Sequence, residues 1–361
     1  MTFLTAPDPV VSVIIPTYNG SALVAETIAS LQAQTLADFE VIVIDDCSTD
    51  DTVAVVAAID DPRIRLIRAE RNRGVVLTRN AGFALARGRC IAALDQDDLC
   101  HPERFARQVA YLDMHPAVAL VGTAANVLQD GVIMPSPLAP VSTPALIAWL
   151  LQIENPLVWS SVMIRTDAAR RLDPFNRPEL LYAEDFDLYH RILPIGGVAR
   201  IDTELLTYRR HAAGASQRQA TAMRDSATRV LAGVYAARFG DAAADTAALI
   251  VAHVMAHQPV PDRATLERVG AALVTLQEDF MATHRPDREN AKLIRWETAR
   301  RWARIGRAGL RTGGLRLGDA TGVRPDHLGL GYAGIEDLVL SRLVGTVRGV
   351  QRRRAARAAK T

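Results

Sequence analysis

Val10-Val11-Ser12-Val13-Ile14-Ile15, halted by Pro16-Thr17-Tyr18-Asn19-Gly20-Ser21, is the stretch on which the reading of the fold turns. A β-branched run with almost no polar alternation marks a strand buried on both faces, as in a parallel sheet. Helical apolar spacing follows through Leu31, and the same strand-then-helix unit recurs. Phe39–Asp45 reads as a second strand, and Ser48, Thr49 or Asp50 can cap the helix that runs to Ile59. Arg63–Arg68 is a third strand, Gly74 and Gly88 bracket another helix, and Cys90–Leu94 is a fourth strand. Pro102 then opens a helix, where its missing N–H costs nothing. Strands alternating with helices predict a layered α/β fold with a mostly parallel sheet.

Further along, Val118–Gly122 reads as a strand, Asp130–Pro140 as a Gly/Pro loop, and Ser142 or Thr143 as the cap of a helix through Leu151. Leu157–Arg165 and Val198–Tyr208 read as strands flanking a helix that begins near Glu184. After about Ser216 the pattern is helical, over 221–238, 241–257, 263–283 and 289–309. We therefore expect two halves of one α/β domain, 9–125 and 126–216, and a helical, basic region over 217–361.

Composition bounds the partners. Hydrophobic residues make up 49% of the 361, enough to build a core rather than a disordered chain. No apolar run approaches the ~18–20 residues of a membrane span, and no basic-then-apolar leader opens the chain. Three cysteines (Cys47, Cys90, Cys100) without a C-x-x-C pair suit a reducing compartment, so a cytoplasmic location is expected. Residues 291–361 hold 16 Lys and Arg against 5 Asp and Glu, while the preceding part is net acidic. Such a basic tail fits either an anionic lipid surface at the inner face of the membrane or a solvated face lying on acidic protein. Sparse aromatics and the lack of a recognition module argue against nucleic acid. Nothing in the sequence sets an oligomeric state.

In an open α/β sheet, ligands bind beyond the carboxyl ends of the strands. Thr17 and Asn19, Asp45 and Asp46, and Asp95 and Asp97 all fall there. Any one set could simply cap a helix or make a turn; three sets at one edge point to a site. In Asp95-Gln96-Asp97-Asp98 the two carboxylates at i and i+2 point the same way on an extended backbone. They repel unless a cation or proton lies between them, which suits a hard divalent ion, Mn²⁺ or Mg²⁺, that also takes phosphate oxygens. Glu184 and Asp185 open a helix, so either they serve its dipole or one of them acts as a base.

The series Val11-Ser-Val-Ile-Ile-Pro16-Thr-Tyr-Asn19, Val43-Ile-Asp45-Asp46-Cys-Ser48-Thr-Asp50, Asn72-Arg-Gly74, Arg79-Asn80-Ala-Gly82 and Leu94-Asp95-Gln-Asp97-Asp98 resembles the family 2 glycosyltransferases. Asn155-Pro156, Ala183-Glu184-Asp185-Phe-Asp187-Leu188 and Tyr208-Arg209-Arg-His211 continue the resemblance, which covers roughly 9–216. It implies a Rossmann-like GT-A fold and inverting transfer of a sugar from a UDP- or dTDP-linked donor to an acceptor hydroxyl. The setting it implies is synthesis of a cell-surface glycan or polysaccharide, with a glycan or lipid-linked glycan as acceptor. By the same resemblance Pro16, Thr17, Tyr18, Asn19, Asp45, Asp46, Arg79, Asp95 and Gln96 would face the donor. Asp97, Asp95 and His211 would hold the metal, Asp185 with Glu184 beside it would be the base, and Trp159 and Ser160 would lie on the acceptor side.

The chain departs from the family at Cys47, where Gly is common, at Thr78, usually Ala, and at Trp159, often His or another polar residue. Lys292-Leu-Ile-Arg295-Trp296 superficially matches the Q-x-x-R-W motif of processive synthases, but it lacks the Gln and lies too far beyond Asp185, so single addition is expected. Two other readings compete. A sugar-phosphate nucleotidylyltransferase would have a Gly-rich, Arg-containing loop where Pro16–Asn19 stands. A non-catalytic nucleotide-sugar-binding protein would have no need of Asp95, Asp97 and Asp185 together.

Overall fold

The computed structural model describes residues 8–135, 139–211, 214, 218–323 and 337–346. They fall into two compact units, Met1–Ile147 with Pro156–Ser226, and Ala148–Asn155 with Ala227–Thr361.

The first unit is built on β1 (Val11–Thr17), α1 (Val24–Gln32), β2 (Phe39–Asp45), α2 (Thr52–Ala57), β3 (Ile64–Arg68), α3 (Val75–Leu85) and β4 (Cys90–Ala93). Every residue of β1, β2 and β4 is buried, which is why their sequences do not alternate. Then come β5 (Leu99–Cys100), α4 (Arg104–Met114), β6 (Val118–Gln129), β7 (Val132–Met134), α5 (Pro144–Leu150), β8 (Met163–Arg165), α6 (Thr166–Ala169), α7 (Glu184–Ile192) and β9 (Gly197–Arg210). Among the described residues the strands form one mixed sheet, ordered β3-β2-β1-β4-β8-β6-β9-β5, with β7 paired to β6. β1 runs parallel to β2 and β4, β2 to β3, and β6 to β9, so most residue pairings are parallel. β8 is antiparallel to both neighbours, and the short β5 and β7 are antiparallel too.

Register does the positioning. Val11 pairs with Phe39 and Thr17 with Asp45, so the last residues of β1 and β2 stand side by side. β4 reaches only to Ala93, opposite Ile14, leaving Leu94–Asp98 to turn across the same edge. Beneath this edge Val13, Ile15, Val24, Ile28, Leu31, Val41, Val43 and Leu94 form one core with Phe105 and Leu112. Each such side chain contributes about 1.5–3 kcal/mol on burial.

Several local expectations need correction. Pro16 does not end β1: it pairs with Ile44, because β4 stops opposite Ile14 and asks for no N–H at position 16. Ser48 and Thr49 do not cap α2; Asp50 accepts from the Thr52 N–H at 3.0 Å instead. β6 continues past Gly122 to Gln129, held by its long pairing with β9. The Asp130 loop contains a hairpin, with Asp130 (φ 52°) and Gly131 (φ 77°) both left-handed as a tight two-residue turn requires. Residues 136–138 of that loop lie outside the described ones. Leu157–Arg165 is not one strand: a 3₁₀ turn, Trp159–Ser161, precedes β8. Thr143 caps the helix Pro144–Leu150, accepting from Leu146 N–H at 3.1 Å.

The second unit contains most of α8 (Ala220–Phe239), then α9 (Ala243–Ile250), which runs on as a π-helical turn through Met255. α10 (Arg263–His284), α11 (Arg288–Thr312) and α12 (Leu317–Gly322) follow. Asp262 and Asp287 cap α10 and α11 by accepting the Thr265 and Asn290 N–H groups, and Gly313 ends α11 in a left-handed conformation. One face of α11, including Ile294, Thr298, Arg301 and Trp302, is buried, so its arginines are not all available to a surface. Residues 337–346 are helical, and Arg352–Arg354 lies outside the described residues. Among the described residues no helix is long and apolar enough to cross a membrane.

Gly88 tests the register. A Cβ there would lie 2.5 Å from Ser12 N, 2.8 Å from Val11 C and 2.9 Å from Cys90 O, all backbone atoms that cannot step aside. We expect Gly88→Ala to lose about 1–3 kcal/mol in urea denaturation. Unchanged stability would mean that β1 and β4 are not held at this spacing.

Candidate active site

The carboxyl edge of β1, β2 and β4 carries the polar residues singled out in the sequence, but many are engaged in holding the edge itself. Loop backbone there leaves the sheet, and its N–H and C=O groups need partners. Gln96 supplies two: its Oε1 accepts from Tyr18 N–H at 2.9 Å, and its Nε2 donates to Tyr18 O at 3.1 Å. The Tyr18 ring remains exposed. Gly20 is required beside this clamp, since a Cβ would sit 2.2 Å from Gln96 Oε1. Asn19, with φ 48°, accepts from Thr49 N–H through Oδ1 while its own N–H donates to Ser48 Oγ. Both Asp46 oxygens are taken, by the Arg73 and Gly74 N–H groups at 2.8 Å, which fixes the entry to α3.

Two edge residues are placed differently. Asp45 is fully buried; its Oδ2 accepts from Ser48 N–H at 3.0 Å, whereas Oδ1 has no hydrogen-bond partner. Thr17, its register partner next to the buried Pro16, is also buried; its carbonyl accepts from Asp46 N–H at 2.8 Å, and its hydroxyl makes a long contact to Ile44 O at 3.4 Å.

Arg79, from the middle of α3, links the rest. Its guanidinium donates to Asp95 Oδ1 at 2.7 Å and to Glu184, and stands 4.9 Å from the centre of the Trp159 ring. It is 7% exposed. Burial opposes its charge, but the Asp95 and Glu184 carboxylates outweigh that and raise its pKa. Asp185, the next residue, adds to this field and accepts from Phe186 N–H at the first turn of its helix. Ser160 is buried and its Oγ accepts from Asp95 N–H at 3.1 Å. Arg79 thus binds two carboxylates.

Asp97 lies against His211, with Oδ2 and Nε2 2.8 Å apart. Burial and the charge on Asp95 raise the pKa of Asp97, while His211 acts the other way. Fully buried Asp98 is raised further by burial and by Asp97 and Asp95; it accepts from Arg209 N–H at 2.8 Å. Among the described residues no three His, Cys, Asp or Glu side chains stand close enough to hold a metal together. The donor set nevertheless fits a hard divalent ion. Two carboxylates with mutually unfavourable charge and an imidazole offer the oxygen-rich ligands that Mn²⁺ or Mg²⁺ takes, and a cation would relieve the repulsion.

The sequence profile described as "Glycosyl transferase family 2" matches residues 12–173. EpsE of Bacillus subtilis (strain 168), a protein named as a glycosyltransferase, is 33% identical over 193 residues, covering 52% of this chain and 68% of EpsE. The chain belongs to glycosyl transferase family 2. It has the family's GT-A fold. The succinoglycan biosynthesis protein ExoO of Rhizobium meliloti (strain 1021) is 45% identical over 123 residues; the match spans 34% of this chain and 35% of ExoO. The fold is shared with a crystal structure of S. aureus TarS 1–349 in complex with UDP-GlcNAc (TM-score 0.54, 18% identity, 92% of this chain and 90% of that one).

Two arginines of this family member escaped the sequence reading. Arg209 donates from Nε to Asp97 O at 3.0 Å and pairs with Glu26 at 2.7 Å, so it holds the D-x-D turn from β9. Its place two residues before His211 was the available signal. Arg104 is fully buried and donates to Ala93 O at 3.0 Å, Val162 O at 3.2 Å and Gln108 Oε1 at 3.0 Å, tying the ends of β4 and β8. An arginine after Pro102 looks like any helix-surface residue in sequence.

Arg79 should matter to stability as well as to the site. We expect Arg79→Met to cost about 3–5 kcal/mol, because it leaves buried Glu184 without its cation. Arg79→Lys, a single-point donor, should recover only part of this. Chemical denaturation of the two variants checks both; a neutral Arg79→Met would mean that Glu184 is protonated or solvated instead.

Proposed function

We propose that this chain is an inverting glycosyltransferase that moves a sugar from a UDP- or dTDP-linked donor to a hydroxyl of a cell-surface polysaccharide or lipid-linked glycan. The observation that carries the reading is the Arg79 bridge. It draws together Asp95 of the D-x-D turn, Glu184 beside Asp185, and Trp159. Donor-side and acceptor-side residues that are far apart in sequence thereby meet around one cation.

In this reading the free, buried Oδ1 of Asp45 accepts from the imide N–H of the base or from a ribose hydroxyl, with Thr17 beside it. Tyr18 offers its exposed ring to the base. Asp95, Asp97 and His211 would hold Mn²⁺ or Mg²⁺, which would supply positive charge to the leaving diphosphate. Asp185 takes the proton of the acceptor hydroxyl from the face opposite the diphosphate, and its backbone-held carboxylate is anchored for that task. Arg79 holds Glu184 and Asp95 in place. Trp159 and Ser160 border the acceptor. The polysaccharide assignment draws on the name of ExoO, and UDP-GlcNAc, bound in TarS, is the first donor to test.

A membrane-face location is part of the proposal. The helical stretch 337–346 exposes Val339, Leu340 and Leu343, and the sequence beyond it carries Arg348 and Arg352-Arg353-Arg354. Exposed apolar side chains next to a basic run suit an anionic bilayer.

We expect Asp185→Asn to lose about 10²–10⁴-fold in transfer while metal-dependent donor binding persists. A nucleotide-sugar screen by thermal shift with Mn²⁺ identifies the donor, since a ligand of the native state raises the melting temperature. Normal turnover by Asp185→Asn would sink the base assignment, and no shift with any donor would favour a non-catalytic protein. For the membrane, the chain should co-sediment with phosphatidylglycerol vesicles and not with phosphatidylcholine, and Leu340→Ser with Leu343→Ser should reduce this. Equal binding to both vesicles, or none, would remove the membrane from the proposal.

A further inference from the structure

Tyr189 lies on α7, wholly within the sheet unit, and is fully buried, yet its hydroxyl has no hydrogen-bond partner. A phenol taken out of water without a partner is costly, and native structures keep few of them. This one sits in a charged neighbourhood. Burial pushes its pKa well up, and the Asp185 carboxylate, the strongest of the nearby charges, pushes the same way. Arg79 acts against them, and Glu184 and Asp95 are the other charges around it. The hydroxyl therefore keeps its proton and remains a donor.

Helix geometry decides which acceptor that proton can serve. At about 3.6 residues per turn Asp185 lies about 40° round α7 from Tyr189, whereas Glu184 lies about 140° away. Helical side chains lean back toward the N-terminus, so a tyrosine at 189 is directed over the turn that begins with Asp185. Glu184 is turned to the Arg79 guanidinium of α3 instead. Asp187 resists any roll of the helix, pairing with Arg191 at 2.6 Å and with Arg177 at 3.2 Å. Arg191 donates in turn to Pro174 O at 2.8 Å and to Phe175 O at 2.6 Å. Asp185 is held through Oδ1, which accepts from Phe186 N–H at 2.7 Å.

We infer that Tyr189 is a positioning residue for Asp185. Its hydroxyl donates to the carboxylate, which reaches it by turning about its Cα–Cβ bond, and this holds the base in one rotamer as it faces the acceptor hydroxyl. A donor also steadies the ionised form, so Asp185 stays a carboxylate to lower pH than it would beside a phenyl ring. The catalytic part rests on the glycosyltransferase reading; the bond between the two side chains does not.

Tyr189→Phe removes the hydroxyl and keeps the ring. The full chain should melt near its usual temperature in this variant, because that hydroxyl has no fixed partner to lose. With carbon-13 at aspartate Cγ, and Asp185→Asn to identify the signal, NMR follows the Asp185 carboxyl through pH. We expect its midpoint to rise by about half a pH unit or more in Tyr189→Phe. In transfer assays with Mn²⁺ and UDP-GlcNAc as donor, kcat should fall about tenfold while the donor KM stays unchanged. The acidic limb of the pH profile should move up together with the NMR midpoint. A midpoint that does not move would overturn the inference, and a lower melting temperature alongside it would make the hydroxyl a purely structural group. Absence of transfer by the unaltered chain with every donor tried would count against the functional reading and leave the titration to decide on Tyr189.

Discussion

A guanidinium buried among carboxylates is the constraint around which the sheet unit's site is arranged. Arg79 cannot be solvated where it sits, so it must be compensated, and Asp95 and Glu184 do so from two distant parts of the chain. The dependence runs the other way as well. Glu184 is almost fully buried, and its charge would be strongly destabilising without that cation. An α3 placed a turn differently would strand all three charges. The site therefore specifies the packing of α3 on β1 as firmly as the apolar core does, with Gly82 allowing close approach to Ile14.

A second balance is local to the D-x-D turn. Asp95, Asp97 and Asp98 crowd three carboxyl groups into four residues, and each finds a different compensation. Asp95 has Arg79, Asp97 has His211, and Asp98 has a backbone N–H and a raised pKa. Arg209 then secures the turn through a carbonyl rather than a carboxylate. This leaves the Asp97–His211 pair partly exposed and joined by a hydrogen bond.

Most of the architecture was legible because strands buried on both faces have no alternative reading. Phe39–Asp45 was bounded to the residue, and the long helices after Ser216 followed their apolar spacing. What escaped depended on partners distant in sequence. Pro16 remains in a strand because of where β4 stops. β6 runs on to Gln129 because β9 lies beside it, and Leu99–Cys100 becomes a strand only against Leu206 and Thr207. The excursion of Ala148–Asn155 into the helical unit has no local signal, since Trp149 and Glu154 read as ordinary residues of an amphipathic helix and its end.

The candidate site shows a related limit. Sequence marks which polar residues gather at the sheet edge, but not which of them the edge consumes. Asn19, Gln96 and Asp46 are occupied by loop backbone, because any chain leaving three adjacent strands exposes N–H groups that must be met. Residues left with unused capacity are the better candidates for chemistry. Asp45 has a buried, unmet oxygen, and Asp97 shares a single hydrogen bond with an imidazole. A polar residue at the carboxyl end of a strand is thus a ligand candidate only after the loop's own hydrogen bonds have been accounted for, and that accounting reduces a long list at this edge to a few carboxylates.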